Sequence, residues 1–121
     1  MKCRLLSLLF NSILALVSLS PLSITAQFAT PKFKVVAFYT GKNDQVHVSF
    51  VHEANKWFPK MGLKHGFDYD STSNWNNLNK EFLSKYQVVL FLDTRPEAPA
   101  QRLAFEEYMR GGAWIGFHHG A

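Results

Sequence analysis

The sequence is poor in cysteine, because its 121 residues contain only one, Cys3. A single cysteine excludes an intramolecular disulfide framework. Cys3 also lies within an N-terminal stretch that resembles a removable leader. The rest of the chain therefore has no thiol nucleophile and depends on an apolar core for its stability.

Signatures of nucleotide and nucleic-acid binding are also absent from the sequence. It has no Gly-x-Gly-x-x-Gly after a strand and no Gly-Lys-Ser/Thr phosphate loop. The formal net charge is +4, and Lys2 and Arg4 supply two of those charges. Basic and acidic residues alternate without a Lys/Arg-rich run, so we expect no nucleic-acid partner. A flavin phosphate loop would be rich in Ser, Thr and Gly, and Thr40–Asp44 fits that pattern poorly.

The N-terminus predicts export. A basic start precedes the mostly apolar run Leu5–Leu19, and Ile24–Ala26 ends on a small residue. This order is typical of a secretory signal peptide, here residues 1–26, and predicts a periplasmic or extracellular protein. The apolar run is shorter than the roughly 20 residues of a spanning helix. We therefore expect no stable membrane insertion after cleavage, with a retained anchor as the alternative.

Four short segments are predicted to be strands. Runs that are apolar almost throughout are typical of parallel strands covered on both faces. The weaker second segment alternates and is expected near a sheet edge, whereas the fourth is expected to be fully buried. The predicted strands are Phe33–Tyr39, Phe67–Asp70, Gln87–Leu92 and Ala113–Phe117.

The first predicted helix begins at about His47. Its apolar residues recur at helical spacing and predict a stripe that faces the core. We expect Pro59 to end or kink this helix, because proline removes a helical donor and clashes with the preceding turn. The stripe consists of Phe50, Ala54, Trp57, Phe58 and Met61.

Two further helices are predicted between the later strands. One spans Asn76–Tyr86, and the other begins near Ala98 or Pro99 and ends before Gly111, a suitable C-terminal capping glycine. The resulting β-α-β-α-β-α-β order predicts a doubly wound parallel sheet of flavodoxin-like type. Because the chain ends at Ala121, we expect this α/β fold to be cut off after about four strands. An apolar last strand left as an edge predicts aggregation.

A doubly wound sheet predicts where a ligand would bind. Such sheets bind ligands beyond the carboxyl ends of their strands, at the switch in strand order. In a flavodoxin-like order the loops after strands one, three and four converge there. These loops carry Tyr39, Thr40, Gly41, Asp93, Thr94, Arg95, His118 and His119.

His118 is the first catalytic candidate. Gly116-x-His118-x-Gly120 has the spacing of a nucleophile-elbow turn, which would hold this side chain at the top of the sheet. Histidine there can act as a base, an acid or a metal ligand. The alternative is a strand-end histidine hydrogen-bonded to a neighbouring loop. The turn geometry directs His119 elsewhere, so it is a weaker, substrate-binding candidate.

His47 is the second candidate. At the start of the first helix it could point into the same crevice and pair with His118, directly or through a divalent metal. A catalytic zinc usually takes three protein ligands, so two histidines do not define a metal site and no cofactor is certain. The alternative for His47 is a helix-cap or surface histidine.

The loop after the third strand supplies the remaining candidates. Asp93 would orient a histidine or accept a sugar hydroxyl, and Arg95 would clamp an anion. The alternative is a local ion pair between these two residues that shapes the turn. Trp75, in a polar loop, would stack on a sugar ring or, as we favour, cap the sheet.

Three segments together resemble the trehalose-utilisation (ThuA-like) family, whose fold is that of class I glutamine amidotransferase-like domains. They are Val88–Thr94, Gln101–Arg110 and Gly111–His118. Val35–Thr40 followed by His47 is similar to the family's first loop and its histidine. The resemblance covers residues 33–121, so residues 27–121 are identified as the N-terminal part of such a domain.

The resemblance implies a flavodoxin-like sheet and a link to disaccharide or keto-sugar catabolism. By position, His47 matches the family's loop histidine and His118 its Gly-x-His histidine. The amidotransferases have their nucleophilic cysteine at that last position, so glutaminase activity is not implied. We expect a fragment of an exported sugar-processing enzyme, of hydrolase or isomerase type, that uses His118, His47 and Asp93. The alternative is a noncatalytic carbohydrate-binding or interaction domain.

Overall fold

The computed structural model describes residues 30–42 and 44–117, so the predicted signal peptide, His118 and His119 lie outside the described residues. Strands and helices alternate in the order that the sequence predicts. The elements are β1 Lys34–Phe38, α1 Gln45–His65, β2 Asp68–Thr72, a 3-10 turn Trp75–Asn77, α2 Lys80–Leu83, β3 Val88–Phe91, α3 Pro99–Tyr108 and β4 Ala113–Gly116. No helix in the described part of the chain is long and apolar enough to cross a membrane.

The strands form one parallel sheet in the order β2-β1-β3-β4. In the middle of the sheet Val36 lies opposite Asp70 on one side and Val89 on the other. The chain moves outward from β1 to β2 and then returns past β1 to β3 and β4. This is the flavodoxin-like order, and it confirms the predicted fold class. The switch point lies between β1 and β3.

The core lies on the two central strands. Side chains alternate across a strand, so β1 and β3 each contribute to both faces of the sheet. The cluster on the α1 face contains Val35, Ala37, Val51, Ala54, Leu90 and Leu92. The cluster on the face covered by α2 and α3 contains Val36, Phe38, Leu78, Leu83, Val89 and Phe91.

The prediction that Pro59 ends α1 is wrong, since the helix continues through it to His65. Proline removes one helical N–H, but tight packing holds the turns that follow it. Gly62 is buried, and a side chain there would overlap the carbonyl of Phe67. Gly66 then ends the helix with a left-handed φ of 79° and donates its N–H to the Gly62 carbonyl over 2.8 Å. On the other side of the proline, Ala54 lies in the core cluster on the α1 face and Phe58 packs against it, so α1 is held to the sheet next to Pro59.

The prediction of a fully buried last strand is wrong for the described residues. All four residues of β4 are exposed, and Trp114 and Ile115 each keep 50% of their surface accessible. Trp57, predicted to face the core, is 54% exposed. Within the described part of the chain, β4 pairs with β3 along one edge, and no strand pairs with its other edge. An apolar run indicates a strand, but it does not specify how much of that strand is covered.

The second predicted helix is divided in two. Asn79 adopts an extended conformation and accepts the N–H of Phe82 at 2.9 Å, so α2 begins only after it. Pro99 begins α3, as one of the two predicted starts. Gly111 is not a left-handed cap, because its φ is not positive. Instead the Gly112 N–H bonds to the Tyr108 carbonyl at 2.9 Å and turns the chain into β4.

Candidate functional site

Asp93 joins the loops that follow the two central strands. It lies two residues after β3 and is fully buried. Its two carboxylate oxygens accept the backbone N–H groups of Thr40 at 2.7 Å and Gly41 at 2.6 Å. Such hydrogen bonds to an ionised acceptor are the stronger kind. Asp93 therefore fixes the loop after β1 at the switch point, with Gly41 in the left-handed region at a φ of 63°.

A cavity of about 370 Å³ lies beside this loop. It combines an indole, two hydroxyl groups, an amide, a guanidinium group and a carboxylate. Three of the predicted binding residues, Thr40, Thr94 and Arg95, are brought together here. The full lining is Thr40, Trp75, Thr94, Arg95, Glu97, Ala98 and Gln101.

Trp75 caps the sheet and also lines this cavity. Its ring stacks on Phe91 with centroids 6.0 Å apart and an interplanar angle of 9°. It also contacts Phe38 at 5.5 Å. The short turn that carries Trp75 is stabilised by Asn74, whose side chain accepts the N–H of Asn76 at 3.1 Å. In this position Trp75 caps the sheet and also faces the cavity, so capping the sheet does not exclude stacking on a sugar ring.

His47 lies at the start of α1 and is held by Asp44. The ring Nδ1 is 2.5 Å from Asp44 Oδ2. The other oxygen, Oδ1, accepts the N–H groups of Val46 at 2.9 Å and of His47 itself at 3.2 Å. The side-chain hydrogen bond with His47 is the main cause that lowers the pKa of Asp44, and the backbone N–H groups of His47 and Val46 also lower it. A carboxylate and an imidazole thus form a pair at the entrance to the helix.

A second, smaller cavity of about 220 Å³ brings His47 together with the end of β4. Val46, Phe50 and Phe117 complete its lining. Phe117 directly precedes His118 in the chain, and His118 and His119 lie outside the described residues. The predicted pairing of His47 with His118 therefore stays a prediction.

The remaining predicted groups have identifiable positions. Tyr39 packs against the core cluster on the α1 face rather than lining the larger cavity. Within residues 30–42 and 44–117, no group of three or more His, Cys, Asp or Glu side chains is arranged to hold a metal. The divalent metal thus stays a prediction that depends on His118.

The sequence interpretation missed three residues at this edge, namely Asp44, Glu97 and Gln101. For Asp44 a signal was available. Aspartate is a preferred N-cap residue, and Asp44 precedes by three positions a histidine at the predicted helix start. Glu97 and Gln101 carried no comparable signal, because their place in the cavity depends on where α3 begins.

The fold and this edge define a class of protein, the α/β proteins with a flavodoxin-like sheet and a cavity at the switch point. The chain matches the family described as ThuA, trehalose utilisation, over residues 35–121. It is also similar to a solved structure of a ThuA-like protein from Bacteroides uniformis ATCC 8492, with 38% identity and a TM-score of 0.68. The chain belongs to the ThuA family.

The alignment with the Bacteroides uniformis structure covers 74% of this chain and 37% of that one. The chain thus spans little more than a third of that protein's length. A search of curated proteins finds no match. Family membership therefore rests on the family match and on this structural relative.

Proposed function

We propose that this chain supplies the sugar-binding edge of an exported ThuA-like protein that processes a disaccharide or a keto-sugar. The family's description, trehalose utilisation, supports the substrate class. The observation that carries the proposal is the cavity at the switch point, where Trp75 lies among Thr40, Thr94, Arg95 and Gln101.

The chemistry of this cavity suits a sugar. A pyranose has an apolar C–H face and a rim of hydroxyl groups. The indole of Trp75 offers an apolar surface, while Thr40, Thr94 and Gln101 offer donors and acceptors for the rim. The volume of about 370 Å³ falls within the roughly 300–1,000 Å³ of small-molecule sites. Arg95 adds a cationic donor that suits an oxidised or anionic sugar.

In this proposal the proton transfers belong to the histidines. His47 lines the second cavity, beside Phe117, so the proposal requires the bound sugar to extend from the larger cavity toward the start of α1. There His47 and His118 exchange protons with it, as a general acid and a general base. Asp93 contributes by holding the Thr40–Gly41 loop, because both of its oxygens accept backbone N–H groups there. In a metal-dependent version, the same two imidazoles would hold a divalent ion.

Sugar binding can be tested on the 121-residue chain by NMR. Trehalose added to the 15N-labelled protein should shift the amides of Thr40, Gly41, Thr94 and Arg95 and the indole N–H of Trp75. Arg95→Ala should weaken this binding about tenfold or more, the loss expected for a charged hydrogen-bond donor. Shifts confined to the other face of the sheet, or no shifts at all, would contradict the proposal.

Arg110→Ala is the matched control for this titration. Arg110 is an exposed arginine like Arg95, but it borders a separate cleft between α2 and α3. The Arg110→Ala substitution removes the same charge as Arg95→Ala and should leave trehalose binding unchanged. Equal weakening by the two variants would indicate a general charge effect and remove the support for this cavity.

A second candidate function is sugar binding without turnover. It is favoured by one observation: among the residues that line the larger cavity, Glu97 is the only carboxylate, so the cavity has no pair of acids. The candidates are separated in a longer family member, first by measuring turnover and binding of trehalose in the unchanged protein and then by changing the histidine equivalent to His118 to alanine. Lost turnover with retained sugar binding supports the enzyme. Sugar binding without turnover in the unchanged protein supports the binding domain.

A further inference from the structure

Asp44 uses its two oxygens for two different tasks. Oδ1 caps α1 by accepting the N–H groups of Val46 and His47, at 2.9 and 3.2 Å. Oδ2 lies 2.5 Å from Nδ1 of the His47 ring. His47 is therefore attached to the same aspartate through both its backbone and its imidazole, and the ring has little freedom to rotate.

We propose that Asp44 is a positioning residue that keeps the His47 imidazole in the tautomer with its proton on Nδ1, which leaves Nε2 as the reactive nitrogen. The use of Nε2 in catalysis rests on the function proposed above. The tautomer itself does not, and it can be measured without any sugar.

The argument rests on hydrogen-bond chemistry. An ionised carboxylate can only accept, so the ring nitrogen that faces it must carry the proton. In a neutral imidazole the other nitrogen, Nε2, then carries the lone pair with which histidine acts as a base or a metal ligand. Carboxylates that fix a histidine in this way are common partners of catalytic and metal-binding imidazoles.

The exposure of the two side chains agrees with this assignment. The Asp44 side chain is 61% exposed, whereas the His47 side chain is 16% exposed. Solvent and the capped helix end therefore keep the carboxylate ionised, while the ring lies in the cavity that ends at Phe117.

The test is a long-range 1H–15N NMR measurement of the His47 tautomer in the full chain. It is made at a pH where the ring 15N shifts of His47 no longer change on adding base, so that the imidazole under study is the neutral one. The wild-type ring should carry its proton on Nδ1. Asp44→Asn keeps an oxygen for the helix cap but turns an NH2 donor toward Nδ1. The tautomer ratio should therefore move toward Nε2–H at least about tenfold, the size expected when a hydrogen bond to a charged group is lost.

Glu53→Gln is the matched control. Glu53 lies on the same helix and is exposed, and its partner is Lys56 at 2.9 Å. This variant removes the same charge and should leave the His47 tautomer unchanged. Asp44→Ser, which also keeps a capping oxygen, should give a ratio between those of the wild type and Asp44→Asn.

Each result decides the inference. A wild-type ring protonated on Nε2 overturns it, whether or not any variant folds. An Asp44→Asn ring that stays protonated on Nδ1, or an equal change in Glu53→Gln, also overturns it. If trehalose does not bind but the tautomers are as expected, the proposed function is refuted and the positioning role of Asp44 stands.

Discussion

The two outer strands of the sheet, β2 and β4, are edges of opposite character. β2 reads DYDST and presents Asp68 and Asp70 to solvent. β4 reads AWIG, has no charge, and leaves Trp114 and Ile115 half exposed. Natural edge strands carry charges that oppose pairing with other strands. β2 thus has the composition of a permanent edge, whereas β4 has the composition of an interior strand.

The surroundings of the two strands differ in the same way. Polar contacts hold β2, since Tyr69 donates to Asn55 at 2.9 Å and Tyr86 donates to Asp70 at 2.8 Å. Beside β4, exposed aromatic rings surround an apolar hollow of about 580 Å³ that includes Trp57 and Phe117. Contiguous exposed apolar surface marks sites of association. We therefore expect self-association to involve β4 and not β2.

A substitution that weakens the contact between the two central strands should lower the stability of both edge strands, β2 and β4. Asp93 follows β3 and holds the loop that follows β1. Because β1 pairs with β2 and β3 pairs with β4, this contact connects the two halves of the sheet. Asp93→Asn leaves one oxygen and places an NH2 group against a backbone donor. The free energy of unfolding should fall by about 3 kcal/mol, because hydrogen bonds to charged groups are lost in a buried site. Urea unfolding measures this change.

The control for Asp93 is Asp68→Asn on β2. Asp68 is exposed and lies 3.7 Å from Lys34, and exposed ion pairs contribute about 0–1 kcal/mol. Amide hydrogen exchange of the Asp93→Asn protein should show equal loss of protection in β2 and β4. Loss confined to one of the two strands would mean that the edges are stabilised independently.

The turn into β4 provides a more local comparison. A side chain at Gly112 would overlap the ring of Tyr108, while nothing lies within 4 Å of one at Gly111. Gly112→Ala should lower the free energy of unfolding by about 2 kcal/mol, the usual cost of overpacking. Gly111→Ala, its neighbour, should change it by no more than about 0.5 kcal/mol. Similar urea midpoints for the two variants would show that the ring moves away without cost.

The part of the fold that depends on hydrophobic pattern could be predicted from the sequence. The apolar runs Val35–Phe38 and Val88–Phe91 indicated the central strands, and the alternation of elements indicated the parallel order. The apolar composition of β4 wrongly indicated a fully buried strand, because an apolar run looks alike whether or not another element covers it. The expectation of an apolar last strand left as an edge agrees with its exposure among the described residues. The path of α1 through Pro59 was missed because the packing of Ala54 and Phe58 against the sheet involves strand residues distant in sequence from the proline.

The candidate site was predictable only at the level of loops. Topology placed Thr40, Thr94 and Arg95 at one edge, and the structure puts them in one cavity. The contacts of Asp44 with His47 and of Asp93 with the Thr40–Gly41 loop were not foreseen. They depend on the direction of individual side chains, which hydrophobic periodicity does not specify.

Association through β4 can be tested by adding a charge to each edge. Ile115→Lys places an ammonium group on the apolar strand and should raise the concentration at which the chain self-associates about tenfold, or about 1.4 kcal/mol. Ser71→Lys places the same group on β2 and should have no effect. Sedimentation velocity over a range of concentrations measures both. A chain that is monomeric without either change would refute association through β4.

The smallest expected effect concerns the polar attachment of β2. Tyr86→Phe removes the hydrogen bond to Asp70 and should lower the free energy of unfolding by about 0.5–1 kcal/mol, since the contact is partly exposed. Burial, and then the hydrogen bond to Asp70, raise the pKa of Tyr86 from 10.0 to about 12. The folded state therefore holds this proton more tightly than the unfolded state.

The pH dependence of that effect has a definite sign. The contribution of Tyr86 is fully present below pH 10 and is lost as the pH rises from 10.0 to about 12. The free energy of unfolding of the wild type relative to Tyr86→Phe should therefore be greatest below pH 10 and fall as the pH rises toward 12. Tyr69 and Tyr108 also have raised pKa values, so the difference between the two proteins isolates Tyr86. A difference that stays constant from pH 9 to pH 12 would show that Tyr86 stabilises β2 through packing and not through its hydroxyl proton.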